Sequence, residues 1–119
     1  MDTNVFIYLE YLRKTLLPLP GVTEKKAYGT PAFYVGKKLF TRIKEDGETL
    51  AITSTERDKW MRLHPEVYFV TDHYLNYDYV LARLNKADPE QLKEVLLIAW
   101  RTRATKKLVD EFEASPKSS

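Results

Sequence analysis

A chain of 119 residues has the size of one compact domain, and 44% hydrophobic with 30% charged residues is the composition of a folded globular protein, not of a disordered or fibrous one. Zero cysteines exclude disulfides, thiolate nucleophiles and cysteine-based zinc or iron–sulfur sites. A net charge of +2 is far from that of a strongly basic nucleic-acid binder, so electrostatics must be read from where charge sits.

Thr3 and Asn4 are good helix caps. After them Val5, Ile7, Tyr8, Leu9, Tyr11, Leu12 and Leu16 keep one face largely apolar for about four turns, which predicts a first helix. Acids at Asp2 and Glu10, and the lack of a small-residue cleavage site, do not fit a signal peptide. No stretch approaches the roughly 20 apolar residues that span a bilayer, so the expectation is a cytoplasmic protein with no membrane partner. Pro18, Pro20 and Gly21 end the helix in a "PLPG" turn. Short aromatic or β-branched pieces follow at 27–28, 32–35 and 39–44, punctuated by Gly29, Pro31 and Gly36. "VGKKLF" predicts a hairpin with its tip at Gly36 and Lys37, and "EDGE" at 45–48 supplies an Asp-Gly turn into "TLAIT", giving three antiparallel strands. Alternation over 38–44 puts Lys38, Phe40, Arg42 and Lys44 on one face, with Leu39, Thr41 and Ile43 on the other.

Ser54 or Thr55 caps a short second helix, "ERDKWMRL", in which Trp60 and Leu63 can share a face, and Pro65 stops it. Two further strands, 67–70 and 79–84, flank the polar aromatic loop "TDHYLNYD". The last segment opens with Asp88 as N-cap, Pro89 at the first helical position and Gln91 where a capping box wants Glu or Gln. From there Leu92, Val95, Leu96, Ala99, Trp100, Ala104 and Leu108 follow 3 and 4 spacing, predicting one long final helix through "VDEF". The order α-β-β-β-α-β-β-α implies an α+β two-layer sandwich, an antiparallel sheet with helices on one face. A single domain is expected over 1–114, with a frayed tail at 115–119.

Chemistry is sparsely signalled. His64 stands at a helix end, where it can bond a terminal carbonyl. His73 lies beside Asp72, Tyr74, Asn76 and Tyr77, a cluster that could orient an imidazole or line a small-ligand pocket, and equally the composition of an ordinary strand connection. No nucleophile stands at useful spacing, and no calcium loop, Walker loop or dinucleotide fingerprint is present. The expectation is a protein that is not an enzyme, with no cofactor and no metal.

The charge map is more informative. Between Glu24 and Glu45 lie Lys25, Lys26, Lys37, Lys38, Arg42 and Lys44 without one acid. A hairpin with such a basic face and tip can follow a phosphate backbone, with Tyr28, Phe33 or Tyr34 available to stack or pack. Lysines on a strand edge and at a hairpin tip also guard against edge-to-edge aggregation, and that reading stands beside the first. The basic residues Arg101, Arg103, Lys106 and Lys107 read as a solvated helix face.

"LRKTLLPLPGVTEKKAYGTPAFYVGKKLFTRI" at 12–43, the short helix after "TST", "VTDHYLNYDYVLARL" and "DPEQLKEVLLIAW" together resemble the MmcQ/YjbR family over nearly the whole chain. The resemblance implies a YjbR-like, secretion-chaperone-like α+β fold of order α-β3-α-β2-α, and a DNA-binding role through a "double wing" of hairpins; it brings no catalytic residues. Where family members often carry Trp after the His/Asn loop, this sequence has Tyr79. Three functions follow as expectations. One is nucleic-acid binding through Lys25, Lys26, Lys37, Lys38, Arg42 and Lys44; another is a protein-interaction or homodimerisation module; the third is a small-ligand pocket at His73, Tyr74, Asn76 and Tyr77.

Overall fold

The computed structural model describes residues 3–114; the tail expected at 115–119 lies outside the described residues. Its elements are α1 (Thr3–Leu16), β1 (Val22–Ala27), β2 (Thr30–Val35), β3 (Lys38–Ile43), β4 (Thr49–Thr53), α2 (Arg57–Leu63), β5 (Tyr68–Phe69), β6 (Tyr79–Arg83), α3 (Pro89–Arg103) and α4 (Lys106–Ala114), with a 3₁₀ turn at Asp72–Tyr74 before β6. The strands form one antiparallel sheet of order β1-β2-β3-β4-β6-β5, so the α+β sandwich expected from the sequence is the observed fold. No helix among the described residues is long and apolar enough to cross a membrane.

One face of the sheet carries the core. Phe33, Val35, Phe40, Ile43, Leu50, Ile52, Val80 and Ala82 pack there against Leu9, Leu12 and Leu16 of α1 and Leu92, Val95, Leu96 and Ala99 of α3. Burial of the larger of these side chains, each contributing roughly 1.5–3 kcal/mol, is what holds the helices on the sheet.

Three local details depart from the sequence reading. An additional strand, β1, pairs along its whole length with β2; its run "VTEKKA" is too charged to signal a strand by hydrophobicity, as suits an edge. In α2, Glu56 is the N-cap residue, and Ser54 instead accepts a hydrogen bond from the Glu56 N–H (3.1 Å). Trp60 of this helix is buried while Leu63 is 52% exposed, so the two do not share the core.

The long final helix is two helices. Ala104 is extended (φ −73°, ψ 150°), and the Thr105 hydroxyl accepts the Leu108 N–H, starting α4 as an N-cap would. The turn lets α4 fold back, with Phe112 edge-on to Trp100 at 5.2 Å and Leu108 against Gly21, where a Cβ would stand 2.7 Å from the leucine methyl. At the other end of α3, Asp88 caps the Gln91 N–H (3.0 Å) as expected, but the Gln91 side chain accepts from the Tyr68 hydroxyl (2.6 Å), tying α3 to β5.

The β3–β4 turn is organised by Asp46, whose carboxylate accepts from the Glu48 and Thr49 N–H groups (2.9 Å each) and the Thr49 hydroxyl (2.7 Å). Partial burial acts to raise this carboxyl, but the three hydrogen bonds outweigh it and hold it below the ordinary aspartate value. Asp46→Ala should therefore cost about 1 kcal/mol at neutral pH. A depressed folded-state pKa contributes stability that is present above the ordinary aspartate value of about 4 and is lost as pH falls through the lower folded value. Urea unfolding of wild type and variant at neutral and strongly acid pH checks this: the gap should close in acid, and a gap of constant size would show that Asp46 acts by another route.

Candidate functional site

The sheet face opposite the core is shaped by an irregularity in β3. Phe33 pairs with Thr41 but Tyr34 pairs with Leu39, leaving Phe40 as the extra residue of a bulge, and Phe40 is fully buried in the core. The alternation expected over 38–44 is thereby broken. Arg42 pairs with Ala32 and Ala51, and it lines one cavity with Leu39, three positions away, because the bulge absorbs one residue. Lys38 instead pairs with Val35, whose side chain is in the core, and so falls on the opposite side of the sheet from Arg42.

That outer face holds a cavity of about 710 Å³. It is lined by Leu39 and Ala51, by Tyr28, Arg42, Lys44 and Glu45, and by His73, Tyr74, Tyr77 and Tyr79. The Arg42 side chain is only 8% exposed. Its Nη1 donates to the Thr30 hydroxyl (3.0 Å) and stands 3.6 Å from the Glu45 carboxylate, and its guanidinium lies 4.8 Å from the Tyr28 ring. Lys44 Nζ donates to the Tyr74 hydroxyl (3.3 Å), sits 4.9 Å from the centre of the same ring, and is 3.7 Å from Glu45. The Glu45 carboxyl is held low chiefly by a hydrogen bond from its own backbone N–H, then by the charge of Arg42, so it stays ionised between the two cations.

The aromatic wall is built by the connection into β6. His73 meets Tyr74 edge-on at 4.9 Å, Tyr74 lies 5.6 Å from Tyr79, and Tyr77 is 6.5 Å from His73. Burial pushes the Tyr79 phenol above its ordinary value, with Arg103 and Arg42 pulling the other way, so the phenol is neutral near pH 7. Arg57, at the start of α2, holds this segment in shape: Nη1 donates to the carbonyls of Tyr74 (3.2 Å), Tyr77 (2.9 Å) and Tyr79 (3.1 Å), and Nη2 to that of Leu75 (3.0 Å).

The sequence-predicted residues are thus divided. Arg42 and Lys44 meet His73, Tyr74 and Tyr77 around one cavity, while Asn76 is exposed and outside its lining. Lys25 shares the outer face, opposite Ala32 and 5.8 Å from the Tyr34 ring. Lys26 pairs with Pro31 and is on the core side of the sheet with Lys38, and Lys37 is exposed at the hairpin tip. Phe33, a stacking candidate by sequence, is fully buried and offers no ring face to solvent. Arg57, Glu45 and Tyr79 escape sequence reasoning; only an aromatic directly before Gly29 in a tight turn marks Tyr28 as unusual. Among the described residues no group of three or more His, Asp or Glu stands close enough to hold a metal ion.

Residues 17–102 match the family model YjbR. The chain is 34% identical over 74 residues to Uncharacterized protein Mb2600 of Mycobacterium bovis and to Uncharacterized protein Rv2570 of Mycobacterium tuberculosis, over 62% of this chain and 51% of each of those. It spans about half the length of these curated relatives. The crystal structure of Deinococcus radiodurans protein DR2400, with the family-model domain DUF419, is similar with a TM-score of 0.68 over 92% of each chain at 20% identity, a likeness of fold.

Proposed function

This chain belongs to the MmcQ/YjbR family, and from that premise we propose that it is a non-enzymatic nucleic-acid-binding protein whose contact surface is the outer face of the sheet. The observation that carries this reading is the convergence of a largely buried guanidinium, Arg42, and the Lys44 ammonium on a cavity ringed by tyrosines. Cations that cannot swing away are suited to hold a phosphate in one place, and the aromatic rings around them are suited to bases. Lys25 on the same face, and Lys37 at the hairpin tip, extend the positive surface along which a backbone would run. Such contacts position a strand and give no base readout by themselves.

Affinity for random oligonucleotides, measured against salt concentration, tests this. Log affinity should fall linearly with log salt, and Lys44→Ala should weaken binding while reducing the slope by about 1. Lys26→Ala and Lys38→Ala, on the other side of the sheet, should have little effect. Absence of binding at low salt, or equal losses from all three variants, would remove the reading.

A protein-contact role is favoured by a different observation: α1 leaves two large apolar side chains, Phe6 and Ile7, exposed. A concentration-dependent rise in solution mass that Ile7→Lys abolishes would support self-association through α1, and a monomer at all concentrations would argue against it.

A further inference from the structure

The cavity on the outer face has the volume of a single-ligand site, within the roughly 300–1,000 Å³ typical of such pockets. In a duplex the phosphates are outside and the base faces are buried in the stack, so a duplex could meet Arg42 and Lys44 but leave the tyrosines without a partner. An unpaired nucleotide presents a charged phosphate and a free aromatic face together.

Tyr28 is the strongest indication of which is bound. With Gly29 it forms the two-residue turn between β1 and β2, at φ 54° and 80°. The left-handed conformation costs a tyrosine on the order of 1 kcal/mol, where Asn or Gly would adopt it readily. The ring is 79% exposed, so burial does not offset that strain. A strained, exposed ring held over Arg42 at the mouth of a cavity is a feature that fold stability does not require. Tyr77, 61% exposed, lines the same cavity. Leu39 and Ala51, also in the lining, add apolar surface against which a base can pack. Arg42, Lys44 and Glu45 together leave one net positive charge, which matches the single negative charge of a phosphodiester.

We infer that this cavity captures one unpaired nucleotide unit, its base against Tyr28 and Tyr77 and its phosphate on Arg42 and Lys44. The protein therefore selects single-stranded, terminal or extruded nucleotides over intact duplex. The inference rests on the proposed nucleic-acid role. The same ligand chemistry is found in a strand and in a free nucleoside monophosphate, and the test separates the two.

Fluorescence anisotropy at low salt would compare a short single strand, its duplex, and a strand of equal length with abasic sites, with a nucleoside monophosphate as competitor. The intact single strand should bind about tenfold or more tightly than duplex or abasic strand, in line with one stacked base. Tyr28→Asn, which removes the ring but suits the turn and so keeps the fold, should cut single-strand affinity about tenfold and leave abasic-strand binding unchanged. Tyr77→Ala should do the same. Equal, salt-sensitive binding of all three oligonucleotides, insensitive to Tyr28→Asn, would overturn the inference and leave the nucleic-acid reading standing. Binding of the monophosphate in a Tyr28-dependent way, with no oligonucleotide bound, would keep the single-nucleotide pocket and overturn the nucleic-acid reading. No binding of either would overturn both.

Discussion

Replacing Trp100 with Ala is expected to remove about 3–5 kcal/mol of folding stability, a large share of the roughly 5–15 kcal/mol that a domain possesses. The indole is completely buried, and it joins three parts of the chain. It rises from α3; its Nε1 donates to the Pro20 carbonyl (3.0 Å) in the turn after α1; and its ring receives Phe112 of α4 edge-on. Truncation leaves a cavity, a carbonyl without its donor and a terminal helix without its anchor. Trp100→Phe separates these effects: it keeps most of the ring volume but removes the donor, and should cost about 1–2 kcal/mol. Urea denaturation followed by circular dichroism gives both values. An Ala variant no worse than the Phe variant would mean that packing around the indole contributes little.

Arg57→Ala is expected to have the largest effect on the site. One guanidinium bonds four carbonyls of the segment that forms the aromatic wall, and charge-assisted bonds of this kind contribute about 1.5–3 kcal/mol each when well shielded. Those to Tyr77 and Leu75 are exposed and not additive, so a total loss of about 2–3 kcal/mol in the local stability of residues 74–79 is the expected outcome. The Tyr77 and Tyr79 amides, which bond the Tyr74 and Tyr77 carbonyls, should exchange with solvent about 30- to 150-fold faster, and single-strand affinity should fall about tenfold as the wall loosens. Arg57→Lys keeps the charge but lacks the planar fork that reaches Nη1 and Nη2 acceptors at once, so it should restore only part of both. Unchanged amide exchange in Arg57→Ala would show that the segment is held by its own turns. The two readouts together distinguish a positioning residue from one that touches the ligand.

Much of the fold was legible because its signals are local. Asp88 and Pro89 announce the start of α3, and the "PLPG", Gly36-Lys37 and Asp46-Gly47 turns stand where their residue types require them. What was missed has a physical pattern. The β1 strand is an edge, so it carries charge where hydrophobicity would have marked a central strand. The break before α4 has no Gly or Pro; Ala104 and Thr105 can continue a helix, and Thr105 acts as a cap here because folding back packs Leu108 on Gly21 and Phe112 on Trp100.

The candidate site divides in the same way. By itself the sequence determined that 25–44 holds an acid-free basic run and that 72–79 holds a histidine–tyrosine loop, because residue identity is enough to fix charge and ring chemistry. Only the tertiary structure decided that Arg42 and Lys44 face that loop while Lys26 and Lys38 do not. Two long-range causes made the choice. Burying Phe40 in the core forces the bulge that turns Leu39 and Arg42 to the same side, and antiparallel pairing of β4 with β6 brings Tyr74 to Lys44 across 30 residues of sequence. Neither effect is contained in the residues that it positions, since each is set by how distant parts of the chain pack.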